Sequence, residues 1–159
     1  MLYSKLVSLS REKFLYKDLK ISDTFASRTY LIFFYTSFLL VKLKNTNDSN
    51  KKLSQNIFDY VFLQIETNLR ELGLGDVTVN KNMKLLVKIF YNILLNCEKY
   101  NDKSFKDKKL FLDNHLITNP DKKSDNSNVL VNYFDKYHTF CLDLSPNNVL
   151  NGDLNFSYN

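Results

Sequence analysis

Two of the three glycines in this 159-residue chain fall inside one nonapeptide, Asn68-Leu69-Arg70-Glu71-Leu72-Gly73-Leu74-Gly75-Asp76. Upstream of it, apolar residues recur at Leu53, Ile57, Val61, Ile65, Leu69 and Leu72; downstream they recur at Met83, Val87, Phe90 and Leu94. Both sets follow the 3.6-residue period of an amphipathic helix. The sequence therefore predicts a helix hairpin with a specified corner. Gly73 suits the left-handed position just past a helix end, where a Cβ would clash, and Asp76 or Thr78 can cap the next helix by accepting its orphan N–H bonds.

The rest of the chain reads as helices packed around one core. Residues 2–17 form a first helix with Leu2, Leu6, Leu9 and Phe14 inward, and Ser22 or Asp23 caps a second. Residues 30–41 of that second helix, Tyr-Leu-Ile-Phe-Phe-Tyr-Thr-Ser-Phe-Leu-Leu-Val, are almost unbroken apolar sequence. A bilayer span takes about 20 apolar residues, so this run is the central buried helix of a bundle, with an interfacial or partner-docking element as the alternative. Further helices are expected over about 51–72, 79–100, 104–116 and 129–144. A mobile loop of turn formers joins them at 118–128, and a C-terminal tail over 145–159 folds back or frays. The expectation is all-α, a single-domain bundle of about six helices. With 14% aromatic residues, two prolines and three glycines, the composition favours packed helices over turn-rich β architecture.

Charge and cysteines constrain the partners. The formal charge of +5 favours anionic partners such as ribosomal RNA or an acidic membrane face, as a non-specific tendency. Only Arg11, Arg28 and Arg70 among the 22 basic residues are arginine, which weakens the case for a dedicated nucleic-acid reader, since base readout leans on arginine forks. Cys97 and Cys141 stand alone, without the paired spacing of a disulfide framework or a metal knuckle, so a reducing compartment is expected. The N-terminus has neither a signal-peptide pattern nor the Arg-rich, acid-poor character of an organelle presequence, so the chain is expected to stay where it is made.

Catalytic patterns are nearly absent. His138-x-x-Cys141 places two ligand types on one helical face, but a zinc site needs about two more ligands, and no metal or cofactor is expected. No nucleophile elbow or phosphate-cradling glycine loop occurs. Polar residues Gln55, Asp59, Glu66 and Arg70 stripe one helix, either as a solvated face or as a recognition face, and Arg70 can alternatively brace the corner by bonding helix-end carbonyls. Lys81, Lys84 and Lys88 set a basic ridge on the next helix. Three neighbouring lysines repel one another, so either Asp59 and Glu66 answer them or an outside partner does.

The run NLRELGLGDVTVNKNMK, residues 68–84, with Phe90-Tyr91 after it and Gln55, Phe58 and Asp59 before it, resembles the signature of the ubiquinol-cytochrome c chaperone family. Weaker likeness extends to Leu2-Tyr3 and Leu6-Val7, to Ser22-Asp23-Thr24 with Arg28, to the stretch from Asn132-Tyr133 to Leu144, and to the tail Leu150 through Phe156. This chain departs from the family pattern at Asn92-Ile93, where relatives have Gly-Arg, and at the acidic cluster reduced to Gln64 and Glu66. The resemblance implies a non-catalytic assembly chaperone of the respiratory cytochrome bc complex, complex III. Its client would be newly made cytochrome b, with a ribosome or a small assembly protein as further partners, working at the periphery of the inner membrane without spanning it, on the cytoplasmic or matrix side. Taken with the corner and the lysine spacing, the candidate partner-binding residues are Asp59 and Arg70, at positions that match the family, with Glu71, Gly73, Gly75, Asp76, Lys81, Lys84, Lys88 and Tyr91. A basic RNA- or ribosome-binding helical module is the alternative, and a small enzyme has no residue set to argue for it.

Overall fold

The computed structural model describes residues 2–44, 47–118 and 127–158. The helices are α1 Leu2–Ser10, α2 Lys13–Lys17, α3 Phe25–Leu43, α4 Asp48–Glu71, α5 Asp76–Glu98, α6 Phe105–Leu116, α7 Ser127–Asp143 and α8 Pro146–Asn151. A 3-10 turn, Tyr100–Asp102, follows α5, and no strand occurs among the described residues. The fold is all-α, and the hairpin and the central helix stand where the apolar periods put them.

Helix α3 is the axis of the bundle. Every residue from 31 to 40 is buried, and α1, α4, α5, α6 and α7 all pack against it. A helix apolar on all sides is stable only when neighbours cover all sides, which is the arrangement here. No helix among the described residues is long and apolar enough to cross a membrane. Aromatic rings carry the packing: Phe33 meets Phe62 and Phe90 at 5.5 and 5.4 Å, Phe34 meets Phe111 and Phe134 at 5.0 and 5.3 Å, and Phe38 meets Tyr100 at 5.1 Å. Three of the buried tyrosines, Tyr35, Tyr133 and Tyr137, pair their hydroxyls inside this core. Tyr35 and Tyr133 share a hydrogen bond of 2.7 Å between their hydroxyls, and the Tyr137 hydroxyl donates to the Tyr35 carbonyl at 2.9 Å.

Several expected boundaries move, each for a local reason. The first helix is two, because Arg11 and Glu12 close a turn onto the carbonyls of Ser8 and Leu9, which lets Leu6 and Leu9 on α1 and Leu15 on α2 all reach the core. Thr24, not Ser22 or Asp23, caps α3, its Oγ1 accepting from the Ser27 N–H at 3.1 Å. Ser22 is engaged elsewhere: its N–H donates to the Leu116 carbonyl and its Oγ accepts from the Thr118 N–H, tying the entry of α3 to the end of α6. Asp23 pairs with Arg28 at 2.6 Å. Helix α7 begins at Ser127, two residues before the sequence places it, and residues 119–126 of the expected loop lie outside the described residues.

The tail packs back. Ser145 caps α8 in a reciprocal capping box with Asn148, Gly152 ends the helix at φ 73°, and Phe156 lands on Tyr133, Tyr137 and Phe140 at 5.2–5.4 Å between ring centres.

His138 is only 6% exposed, wedged against the rings of Phe38 and Tyr100 at 5.2 and 5.7 Å. Burial, reinforced by the Lys108 ammonium and opposed by Asp135, pushes its imidazole pKa below the ordinary value. The unfolded chain thus takes up a proton as pH falls through about 6.5, and the folded chain resists until lower pH. The stability that the neutral ring contributes is complete above that point and erodes below it. Thermal unfolding midpoints measured from pH 8 down to about 5 are expected to fall on the acid side, with a shallower fall in His138→Phe. Both cysteines are free and buried, and burial pushes the Cys141 thiol up to about 12.

Candidate docking surface on the α4–α5 hairpin

The corner is built as the glycines require. Leu72 ends α4, and Gly73 takes φ 84°, its N–H donating to the Arg70 carbonyl at 3.0 Å. Gly75 is itself the N-cap of α5, at φ −74° and ψ 164°, and no side chain caps that end. Neither Asp76 nor Thr78 therefore caps α5 as the sequence led one to expect. Asp76 sits one residue later, in the first turn, where its negative charge favours the helix dipole and where Arg70 can reach it.

Arg70 clamps the corner from the α4 side. Its guanidinium donates to Asp76 with one amino group and to Glu66, at 3.1 Å, with the other. The brace runs through carboxylates rather than through helix-end carbonyls. A Cβ built at either glycine meets nothing within 4 Å, so only backbone conformation distinguishes them. Gly73→Ala is expected to cost about 1 kcal/mol through left-handed strain, and Gly75→Ala to stay within about 0.5 kcal/mol of the parent. Denaturant titration of both variants checks the contrast, and equal losses would contradict it.

Asp59 and Glu66 do not answer the lysine ridge. Asp59 accepts from Gln55 Nε2 at 2.8 Å, Glu66 is held by Arg70, and no ion pair from a described residue reaches Lys81, Lys84 or Lys88, all exposed. Partners four residues away on the same helix are simply nearer. Glu71 is exposed at the end of α4.

At the opposite end of the hairpin, where the last turns of α3 meet the start of α4 and the end of α5, an open groove of about 360 Å³ is recessed into the surface. Its lining is apolar at Leu40, Leu43, Phe58, Phe90 and Leu94, with Tyr91 forming one wall. Polar groups border it: Lys51, Gln55, and Lys44 paired with Glu98 at 2.8 Å. Predicted residues thus divide by place. Arg70, Glu71, Gly73, Gly75 and Asp76 form the corner, the three lysines form the ridge, and Tyr91 reaches the groove, beside which Asp59 is tied to the rim residue Gln55. Fourteen residues of helix, about 21 Å, separate Phe58 in the groove from Leu72 at the corner. Leu40, Leu43 and Leu94 belong to the groove although the sequence singles out none of them as a binding residue, because three distant segments must meet before a recess exists.

No cluster of three His, Cys, Asp or Glu side chains able to hold a metal ion occurs among the described residues. A sequence model described as "Ubiquinol-cytochrome C chaperone" matches residues 17–156, a span that contains the hairpin, the ridge and the groove but not α1. Comparison with curated proteins gives no match. Among solved structures, the Cbp3 homolog from Brucella abortus is similar with a TM-score of 0.82 and 24% sequence identity, over 98% of this chain and 86% of that one, a likeness of fold. On the extent of the sequence match, the chain belongs to the ubiquinol-cytochrome c chaperone family.

Proposed function

We propose that this protein is a non-catalytic chaperone that holds newly made cytochrome b during assembly of the cytochrome bc complex. The observation that carries the reading is the groove between α3, α4 and α5, an apolar floor with a polar rim on a protein of this family. Such a recess takes up one face of a partner helix by burying its apolar side chains, and the rim of Lys44, Lys51, Gln55 and Glu98 sets orientation through hydrogen bonds. Burial is shallow and needs no covalent chemistry, so a client is held and then released when its permanent neighbours offer a larger apolar surface. Tyr91 borders this groove and Asp59 holds its rim residue Gln55, while the corner residues set the angle at which α4 and α5 flank it.

The test is genetic. Deleting the gene and measuring assembled bc complex together with cytochrome b is expected to show both reduced, with recovery on return of the intact gene. Unchanged levels of both would end the proposal.

A further inference from the structure

The charged residues of α5 are Asp76, Lys81, Lys84, Lys88 and Glu98. Both acids are already held by cations outside the helix, Asp76 by Arg70 on α4 and Glu98 by Lys44 just past α3. The three lysines between them are left without a described counter-ion, and their mutual repulsion is uncompensated.

These lysines are part of a longer line. Val77, Lys81, Lys84, Lys88, Tyr91 and Leu95 are spaced alternately four and three residues apart, so they form one stripe about 27 Å long on the outer face of α5. All six are exposed, Val77 by 71%, Leu95 by 56% and Tyr91 by 48%. At the corner Leu72, 64% exposed, adds a further apolar side chain, and Gly73, Gly75 and Asp76 beside it are exposed as well. Asp76 points about 100° away from Val77 around the helix, toward Arg70, and Glu66 and Glu71 belong to α4.

Aliphatic side chains left in water and lysines left without anions are two separate costs, and one kind of surface relieves both. We propose that the outer stripe of α5 docks on an anionic phospholipid membrane, the ammonium groups of Lys81, Lys84 and Lys88 on the lipid phosphates and the side chains of Leu72, Val77 and Leu95 at the level of the acyl chains. Lysine stems lie along apolar surface with their charged ends at the headgroups, and tyrosine favours the same boundary. RNA fits less well, because single strands are held by stacked aromatics and by arginine, and the stripe has one tyrosine and no arginine. The inference rests on the proposed function in one respect, that a chaperone of a membrane protein works where it can meet a bilayer.

Sedimentation of the purified full chain with vesicles tests it. Vesicles of phosphatidylcholine containing about one third phosphatidylglycerol are expected to bind the protein at low salt more than about tenfold tighter than phosphatidylcholine alone. The triple variant Lys81→Gln, Lys84→Gln, Lys88→Gln is expected to lose more than about tenfold of that affinity. Val77→Ser with Leu95→Ser, which keeps every charge, is expected to lose the part of binding that survives high salt. All five positions are exposed, so neither variant is expected to have a thermal midpoint below the parent's, and the lysine variant, relieved of like-charge repulsion, is expected at or slightly above it. Equal binding to neutral and anionic vesicles, or full binding by the lysine variant, would overturn the proposal. So would tight binding of random-sequence RNA that the lysine variant abolishes while vesicles stay unbound. Failure on vesicles leaves bc complex levels as an independent measure of the chaperone reading, and the reverse also holds.

Discussion

Phe90→Ala is expected to lower stability by about 3 to 5 kcal/mol, the usual range for removing a fully buried aromatic side chain. In a chain of this size that corresponds to a fall of roughly 6 to 20 °C in the thermal midpoint. Phe90 has no exposure, and its ring meets Phe33 of α3 at 5.4 Å and Phe58 and Phe62 of α4 at the same distance. Three helices are joined through that one side chain, and the rings of Phe33, Phe58 and Phe62 packed against it relax only in part into the space it leaves. The loss includes the edge-on contacts with Phe33 and Phe62 as well as buried area. Lys84→Ala on the outer face of the same helix is expected to change stability by less than about 0.5 kcal/mol. Calorimetry on both proteins makes the comparison, and a Phe90→Ala loss under about 1 kcal/mol would mean that the hairpin does not pack on α3 through this residue.

The features that were readable from sequence were those written in local pattern. A 3.6-residue period on each side of two glycines specifies a hairpin whatever surrounds it, and twelve residues without a charge specify a helix covered on all sides. Cap assignment failed where several polar residues compete. Any of Ser22, Asp23 and Thr24 can cap α3, and the choice falls to Thr24 because Ser22 is drawn to the end of α6, far away in sequence. Asp76 is a good capping residue by type, yet Arg70 six residues earlier takes its carboxylate and leaves Gly75 at the cap. The lysine ridge was visible as a spacing, but whether acids answered it depended on which neighbours Asp59 and Glu66 had already bonded. The groove was least readable, since its wall comes from α3, α4 and α5 at once and its residues look like core residues in every segment taken alone.

That groove supports the second large effect. Ser54 lies on its wall, half-buried on α4, with its hydroxyl donating back to the Asn50 carbonyl at 2.9 Å, a bond the helix can lose at little cost. Ser54→Phe places a benzyl group into the recess beside Phe58 and Leu94, where it finds apolar contacts instead of water. Stability is therefore expected to hold within about 1 kcal/mol of the parent. Occupancy by a client is not expected to survive, because the added ring takes the space that client side chains would fill, and such a clash is not relieved without moving α4 or α5. Cells carrying only Ser54→Phe are expected to accumulate the protein normally while assembled bc complex drops by about tenfold, a difference of about 1.4 kcal/mol in client binding. Ser54→Ala keeps the recess open and is expected to leave assembly unchanged. Normal complex levels in the phenylalanine variant, with the protein folded and abundant, would show that cytochrome b is held elsewhere on the molecule.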